Sequence, residues 1–419
     1  MTAPIPDPSP AGAEVTISGR AASGVGLAAV IAAGASYAVL VVVARALTVA
    51  ENSTFLVFWS LIFLLFGAVT GVYQETTRAV RATGVTGPAG VNPARVLPAG
   101  LLVGLLAGGA LVASAWLWGP HLLGDDALPL TGVLAVAVVL FSGHCALGGS
   151  LSGRRDWGRY AALVSGEALV RLLVVGAAAA IGAGVVGLEV AVLAGSLVWL
   201  GLLAASPVAR SAARARADVP LGRLLGNSGH AILAAVASAA LVVGFPVLLR
   251  ATSNALEWST AAPLVLAISL TRAPLLIPLS AYQGVAVTYF LVHRRDGFVP
   301  AARLGGGIAV VGLAGAVVAG VVGPALLELL FGTDYRLTGT TLAGLTVAAT
   351  ALALLTLSGS AVLALGRHAR YAQGWMIATV VSVALLLLPL PLSDRAVLSL
   401  VVGPVIGLAF HGGVLTRAS

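Results

Sequence analysis

The chain has 419 residues, of which 59% are hydrophobic and only 9% are charged, and its mean hydropathy is +1.04. This composition excludes an ordinary soluble globular protein and predicts an all-α integral membrane protein. All 23 basic residues are arginines, and the formal net charge is +8. Because the arginines concentrate between the apolar segments, their charge indicates membrane topology, and no nucleic-acid partner is expected.

A membrane-spanning helix needs about 20 predominantly apolar residues. Glycine, proline and charge clusters divide the chain into twelve such segments, which we number as spans 1 to 12. They cover residues 21–44, 54–77, 97–118, 128–151, 159–182, 185–205, 229–249, 261–290, 304–323, 340–365, 371–391 and 396–416. Residues 1–19 are rich in proline and alanine without an apolar core, so they are predicted to form a disordered cytoplasmic tail and not a cleaved signal peptide.

The arginines predict the orientation of these spans. When Arg159, at the first position of span 5, is counted with the preceding loop, 17 of the 21 arginines outside the spans lie in the two tails and in the loops that follow even-numbered spans. The other four, Arg45, Arg250, Arg336 and Arg395, lie in the alternate loops. Because cytoplasmic loops carry an excess of arginine, both termini are predicted to be cytoplasmic in a multi-pass protein of the plasma (inner) membrane.

An internal repeat relates the two halves of the chain. Ser60-Leu61 and Tyr73-Gln74 in span 2 recur as Ser269-Leu270 and Tyr282-Gln283 in span 8, at the same separation. Other matches keep a common offset of a little over 200 residues. An even number of spans per repeat makes the two repeats parallel. The sequence therefore predicts two six-helix lobes. They comprise residues 20–205 and 229–419, joined by a basic cytoplasmic linker over 206–228 that anionic membrane lipid would hold.

Two pseudo-symmetric lobes with short loops are typical of alternating-access transporters. A membrane enzyme would instead need acidic residues on a sizeable outer loop. The one candidate, Asp125-Asp126, lies in a loop too short to build such a site. The six histidines are scattered without metal-ligand spacing. We therefore expect no enzyme activity, no cofactor and no metal site.

Charged residues inside the spans are functional candidates, because they are costly there. Glu167 and Arg171 lie one turn apart on one face of span 5, either as a functional pair or as a buried pair that stabilises the lobe. Glu75 and Arg78 mark the inner end of span 2. Arg272 lies at a similar depth to Arg171, in span 8, with no acid in its own helix. A lone cation at this depth favours an anionic ligand.

Arg272 has a structural alternative. Pro274 and Pro278 follow it, and each proline leaves a helix carbonyl without its usual donor. The guanidinium could bond to carbonyls freed in this way. Under that alternative, Arg272 would have no direct role in ligand binding.

Several stretches resemble the polysaccharide flippases of the multidrug/oligosaccharidyl-lipid/polysaccharide exporter superfamily. The first is Ala44-Arg45-Ala46-Leu47, followed by Glu51 and a phenylalanine-rich span. This chain departs from the family pattern at Thr48, where glycine is usual, and at Asn52-Ser53, which replace a Tyr-Gly pair. The resemblance also covers Gln74-Glu75-Thr76-Thr77-Arg78, Arg272-Ala273-Pro274-Leu275 and Phe331-Gly332-Thr333-Asp334-Tyr335.

The resemblance implies a V-shaped, alternating-access transporter with a cationic cavity. Its substrate would be a polyprenyl-(di)phosphate-linked saccharide, flipped from the inner to the outer leaflet for cell-envelope polysaccharide synthesis. Arg272 and Arg171 would pair with the phosphate. The other expected substrate-binding residues are Glu167, Tyr282, Gln283, Tyr73, Gln74, Glu75 and Arg78.

Two alternatives remain open. The first is a multidrug exporter of the same superfamily, for which Glu167 is the candidate coupling carboxylate because span 1 has no acid. The second is a non-transporting membrane scaffold for glycosyltransferases. Glycosyltransferases are also candidate partners of the flippase itself.

Overall fold

A computed structural model describes residues 19–86, 92–281, 286, 289–290 and 299–417, so the predicted tail lies outside the described residues except for Gly19. The regular structure of these residues is helical, apart from one short bridge. The helices are α1 (Gly19–Ala46), α2 (Val49–Thr86), α3 (Val96–Leu123), α4 (Ala127–Gly153), α5 (Trp157–Ala180), α6 (Gly184–Val192), α7 (Val198–Ala205), α8 (Pro207–Ala213), α9 (Leu221–Val242), α10 (Phe245–Ala251), α11 (Ala255–Ser259), α12 (Ala262–Ala281), α13 (Val299–Phe331), α14 (Gly339–Ala364), α15 (His368–Leu386) and α16 (Leu392–Thr416).

Eleven helical stretches in the described ranges are long and apolar enough to cross a membrane, as expected of a multi-pass membrane protein. One of them, Val96–Gly153, has 58 residues and contains both α3 and α4. These two helices pack against each other as a hairpin around the turn Gly124–Asp126. The stretch thus supplies two spans, and the arrangement agrees with the prediction of about twelve.

Span 6 is not one continuous helix. It consists of α6 and α7, separated by a 3-10 segment over Leu193–Leu197. Span 7 corresponds to α9, which begins at Leu221, eight residues before the predicted start and inside the predicted linker. It ends at Val242, because the chain restarts as α10 with Pro246 in its first turn, where a proline needs no hydrogen-bond partner.

Two helices continue past the predicted ends of spans 3 and 9, through prolines that lie just beyond those ends. Pro120 lies inside α3, and Pro324 lies inside α13, which extends eight residues beyond the predicted end of span 9. A proline removes one backbone donor, but neighbouring helices allow a membrane helix to continue past it.

The two lobes repeat one packing order. In the first lobe α4 packs on α2 and α3, and in the second α14 packs on α12 and α13. Glycines allow the close packing of α3 on α4 and of α13 on α14. A Cβ on Gly104 would lie 2.8 Å from the Ser142 side chain, and one on Gly312 only 2.0 Å from Thr350 Oγ1. The predicted repeat is therefore visible as a repeated three-dimensional arrangement, in a fold of two lobes that form a V.

Helix α9 packs along α2, across the two lobes. A Cβ on Gly71 would lie 2.4 Å from the backbone nitrogen of Ile232, so only glycine allows this approach. The linker is bound to the first lobe, because Ala94 N–H donates to Val219 O (3.1 Å) and Ala217 N–H donates to Ala94 O (2.8 Å). We term this side of the molecule the linker end.

Candidate functional site: a cavity between the lobes

A cavity of about 260 Å³ lies between the two lobes. The first lobe contributes residues of α1 and α2, and the second contributes residues around the α9–α10 junction and α12. Arg272 is the one charged side chain among the described lining residues. The polar and aromatic members of the lining are Ser36, Tyr37, Trp59, Ser60, Phe63 and Ser269.

The end of α9 holds the Arg272 guanidinium. Nη1 donates to the carbonyl oxygens of Leu241 (3.0 Å) and Val242 (2.9 Å), which lack helical partners because α9 stops there. These carbonyls belong to a neighbouring helix and are not the ones that Pro274 and Pro278 free. Arg272 Nη2 is buried and has no hydrogen-bond partner among the described residues. An unpaired buried donor of this kind favours an anion.

Tyr37 bridges the cavity from the first lobe to the second. Its hydroxyl donates to the carbonyl oxygen of Ser269, at a distance of 2.8 Å. Ser269 lies three residues before Arg272 on α12. The bridge therefore joins the first lobe to the turn of α12 that carries the cationic side chain.

Arg171 lies behind the cavity wall, with only 2% of its surface exposed. It forms an ion pair with Glu167, and its Nη2 donates to Ser36 Oγ at 3.3 Å. Its guanidinium lies 4.8 Å from the Phe63 ring centroid and 5.6 Å from that of Trp59. Ser36, Trp59 and Phe63 line the cavity, whereas Arg171 is not among the described lining residues. Direct contact between Arg171 and the substrate stays a prediction.

The break in span 6 makes room for Glu167. Gly195 lies in the 3-10 segment, and a Cβ there would lie 2.6 Å from the backbone oxygen of Glu167 and 2.9 Å from its Oε1. The irregular segment and the buried ion pair are therefore parts of one arrangement. The sequence offers little sign of it, because glycine is common throughout the chain.

Glu75 and Arg78 form a polar network at the linker end. Arg78 donates to both carboxylate oxygens of Glu75 (2.8 and 2.6 Å) and to both of Asp218 (2.8 and 3.0 Å). Asn227 on α9 donates to Glu75 Oε1 at 2.9 Å. The network thus connects α2, the linker and the second lobe.

Of the remaining predicted site residues, Tyr73 and Gln74 also lie away from the cavity. Tyr73 donates to Ser152 Oγ at 3.2 Å within the first lobe, and Gln74 is exposed. Tyr282 and Gln283 lie outside the described residues. The structure therefore places Arg272 at the cavity, and it groups Tyr73, Gln74, Glu75 and Arg78 near the linker end of α2.

The opposite end of the molecule is closed by contacts that we term the latch, formed by residues 44–53 of the first lobe with 258–262 and 329–335 of the second. Asn52 Nδ2 donates to the Tyr335 hydroxyl (2.8 Å), which donates to Ala44 O (3.3 Å). Arg45 Nε donates to Leu330 O (3.0 Å). Burial raises the pKa of Tyr335, which therefore remains a neutral donor at ordinary pH.

The latch uses the positions at which this chain departs from the flippase pattern. Thr48 and Glu51 cap the start of α2, with 2.8 Å between Thr48 Oγ1 and Glu51 Oε2. Ser53 accepts two hydrogen bonds from the second lobe, from Trp258 Nε1 to its carbonyl (3.1 Å) and from Ala262 N–H to its hydroxyl (2.9 Å). Of the unusual residues, Asn52 and Ser53 therefore join the two lobes, whereas Thr48 caps α2.

Sequence reasoning missed Glu189 on α6. Its side chain is 1% exposed, and neither carboxyl oxygen has a hydrogen-bond partner within the described part of the chain. An acid inside predicted span 6 was the signal that could have identified it. With Glu75 and Glu167, it is one of three buried carboxyl groups among the described residues of the first lobe.

No family model matches the sequence. Two uncharacterized proteins of Mycobacterium tuberculosis are similar over nearly their full length. Rv1510 is 42% identical over 400 residues, which cover 94% of this chain and 91% of that protein. Rv3630 is 40% identical over 421 residues, which cover 98% of this chain and 96% of that protein.

Solved structures of transporters share the fold. The inward-facing conformation of a multidrug resistance MATE family transporter of the MOP superfamily superposes with a TM-score of 0.71 at 15% identity, covering 92% of this chain and 94% of that one. An outward-facing conformation of such a transporter gives a TM-score of 0.61 at 15% identity, with 95% and 96% covered. The chain thus has the two-lobed MATE fold.

Proposed function

Because the chain belongs to the family of Rv1510 and Rv3630 and has the fold of MOP-superfamily transporters, we propose that it flips a polyprenyl-(di)phosphate-linked saccharide from the inner to the outer leaflet of the plasma membrane. The observation that carries this proposal is Arg272. It is the charged member of the described cavity lining, and one of its terminal nitrogens is buried with no hydrogen-bond partner among the described residues.

A phosphate would satisfy this nitrogen. An unpaired guanidinium in the membrane interior costs at least ~2.5 kcal/mol on insertion scales. A phosphate oxygen offers charge-assisted hydrogen bonds that are about twice as strong as neutral ones. It would also compete with the carbonyls of Leu241 and Val242 for Nη1, so that substrate binding would release the end of α9.

An organic cation fits this cavity less well. Its described lining contains no carboxylate that would pair with a cation. Aromatic faces often bind cations, but here Trp59 and Phe63 already contact the Arg171 guanidinium. These contacts favour the flippase over the multidrug exporter of the same superfamily.

The size of the cavity suggests how much of the substrate enters. About 260 Å³ is slightly below the ~300–1,000 Å³ of typical small-molecule pockets, which suits a phosphate with part of a sugar. The polyprenyl chain would stay in the lipid. The closed latch and the higher TM-score with an inward-facing transporter support a state that loads from the linker end.

Reconstitution into proteoliposomes tests the proposal. The probe is a fluorescent polyprenyl-diphosphate sugar, and a membrane-impermeant reductant reports its movement between leaflets. We expect wild-type protein to move the probe and Arg272→Ala to lose transport at an unchanged protein level. Arg272→Lys should recover part of it, because lysine keeps the charge but not the two-pronged geometry.

A matched control is Arg336→Ala, since Arg336 is 70% exposed and pairs with Glu328 on the surface. It should transport normally. A stable Arg272→Ala variant with full transport would refute the phosphate-site assignment. Efflux of cationic dyes that depends on Arg272 would favour the multidrug exporter. A protein that moves neither probe while Arg272→Ala still complements a null strain would favour the glycosyltransferase scaffold.

A further inference from the structure

A second cavity, of about 460 Å³, lies at the linker end and is lined by residues other than those of the cavity between the lobes. Three chain segments form it: the end of α2, the turn between α4 and α5, and the linker. Each contributes arginine. We term Arg81, Arg154, Arg155 and Arg216 the arginine cup.

The cup is strongly cationic, because its described lining contains no acidic side chain. The nearest acids in sequence are already paired elsewhere. Asp156 pairs with Arg159 at 2.9 Å, and Asp218 pairs with Arg78 at 2.8 Å. Four like charges around one cavity repel each other, and a bound anion would relieve that repulsion.

The backbone conformation of Arg155 is independent evidence that the arginine side chain is needed at this position. Arg155 ends α4 with a φ of +62°, in the left-handed region that glycine normally fills. Its N–H donates to Ser152 O (3.0 Å), and the next N–H, of Asp156, donates to Leu151 O (2.9 Å), which is the usual pattern of a glycine-terminated helix.

The second lobe contains the same turn with glycine in that position. There Gly366 has a φ of +72°, its N–H donates to Leu363 O (2.9 Å), and Arg367 N–H donates to Val362 O (3.3 Å). The fold of this turn therefore does not require arginine. In the first lobe, arginine occupies this position although the left-handed conformation is unfavourable for it. Of the two turns, this is the one that lines the cup.

We propose that the arginine cup is a binding site for phosphoryl groups, separate from the transport cavity. Guanidinium groups bind phosphate oxygens in pairs, and several arginines around one concave surface suit a phosphate monoester or a diphosphate. Basic pockets at the cytoplasmic surface bind anionic lipid headgroups. The same chemistry is offered by a phosphatidic-acid headgroup and by soluble pyrophosphate.

Arg155→Gly separates binding from folding. Glycine relieves the left-handed conformation, so this variant should melt at the same temperature as wild type or higher in neutral lipid. The loss of one charge-assisted contact should weaken phosphate binding about tenfold. Arg214→Ala removes a linker arginine that is not among the described lining residues, and it should bind as wild type does.

The measurement uses full-length protein in nanodiscs. Melting temperature and bound lipid mass are compared in phosphatidylcholine alone and with phosphatidic acid. Inorganic pyrophosphate is titrated into the phosphatidylcholine sample. A shift with phosphatidic acid only assigns a lipid headgroup, whereas a shift with pyrophosphate as well assigns a site for the phosphoryl group itself. The proposal is overturned if neither ligand raises the melting temperature, or if Arg214→Ala loses as much affinity as Arg155→Gly.

Discussion

The side-chain amide of Asn52 donates a hydrogen bond of 2.8 Å to the hydroxyl of Tyr335, and so joins the start of α2 to the loop after α13. Both partners are buried, and Asn52 lies at one of the positions where this chain departs from the flippase pattern that it resembles. Each lobe thus contributes one side chain to a contact that has to break before this end of the molecule opens.

Tyr335→Phe should loosen the latch. The substitution removes the hydroxyl and leaves the Asn52 side chain without a partner in the described ranges, because its Oδ1 already has none. Leaving a buried polar group unpaired costs about 1–3 kcal/mol, so open states should become more populated. Spin labels at the exposed Thr54 and Asp334 should report longer distances. Glu328→Gln, which alters only a surface ion pair, should not change them. Identical distributions in the two variants would contradict the latch.

Gly71→Ala should destabilise the contact between the lobes. Its Cβ would lie within 3 Å of the backbone of Ala231 and Ile232, so α2 and α9 must separate. Overpacking of this kind costs about 1–3 kcal/mol. Gly109→Ala is the matched control, because no described atom lies within 4 Å of its Cβ position. Thermal unfolding in detergent should show a lower melting temperature for Gly71→Ala alone. Equal effects of the two substitutions would mean that the close approach is not important for stability.

Two of the buried carboxyl groups of the first lobe, Glu167 and Glu189, should respond differently to amidation. Glu167→Gln removes the charged partner of Arg171, and breaking a buried ion pair in this way costs up to about 3–5 kcal/mol. Glu189→Gln removes no hydrogen bond observed among the described residues, and its cost should stay within about 1 kcal/mol. Melting temperatures of the two variants give the comparison. A larger loss for Glu189→Gln would show that this carboxyl has a partner essential to the fold.

Single cysteines test the orientation. Cys145 is buried and should remain unlabelled in intact cells. Cysteine at Ser211, in α8 within the linker, should react only after the membrane is permeabilised, because the arginine-rich loops are predicted to be cytoplasmic. Cysteine at Leu256, which is 81% exposed, should react from outside. The reverse pattern would invert the predicted topology.

Local sequence patterns sufficed to count the spans and to single out Arg272 as an isolated charge, because hydropathy and an isolated charge are properties of a single helix. They could not place Arg171, since periodicity gives the face of a helix but not what covers it. Glu75 and Arg78 show the same limit: their partners Asp218 and Asn227 lie 140 and 152 residues away along the chain. Contacts between residues so far apart in the chain cannot be inferred from the spacing of neighbouring residues.

Helix breaks were the least predictable feature. The break at Leu193–Leu197 depends on Gly195 meeting Glu167, which is a tertiary contact. Span 7 is predicted to run through Pro246 to residue 249, whereas α9 ends at Val242. The consequence for Arg272 is seen only in the structure, where the free carbonyls of Leu241 and Val242 lie beside it.

The attachment of the linker to the first lobe fixes a pivot. Val219 is bonded to Ala94 in the first lobe, and α9 of the second lobe begins at Leu221. Pro220 alone separates them. The linker, which the sequence predicts to be a long segment over 206–228, therefore acts as a joint of one residue. With α9 as its lever, a swing of about 10° at Pro220 would carry Val242 by about 6 Å, at a rise of 1.5 Å per residue. A small rotation at one membrane surface would thereby widen or narrow the gap in front of Arg272.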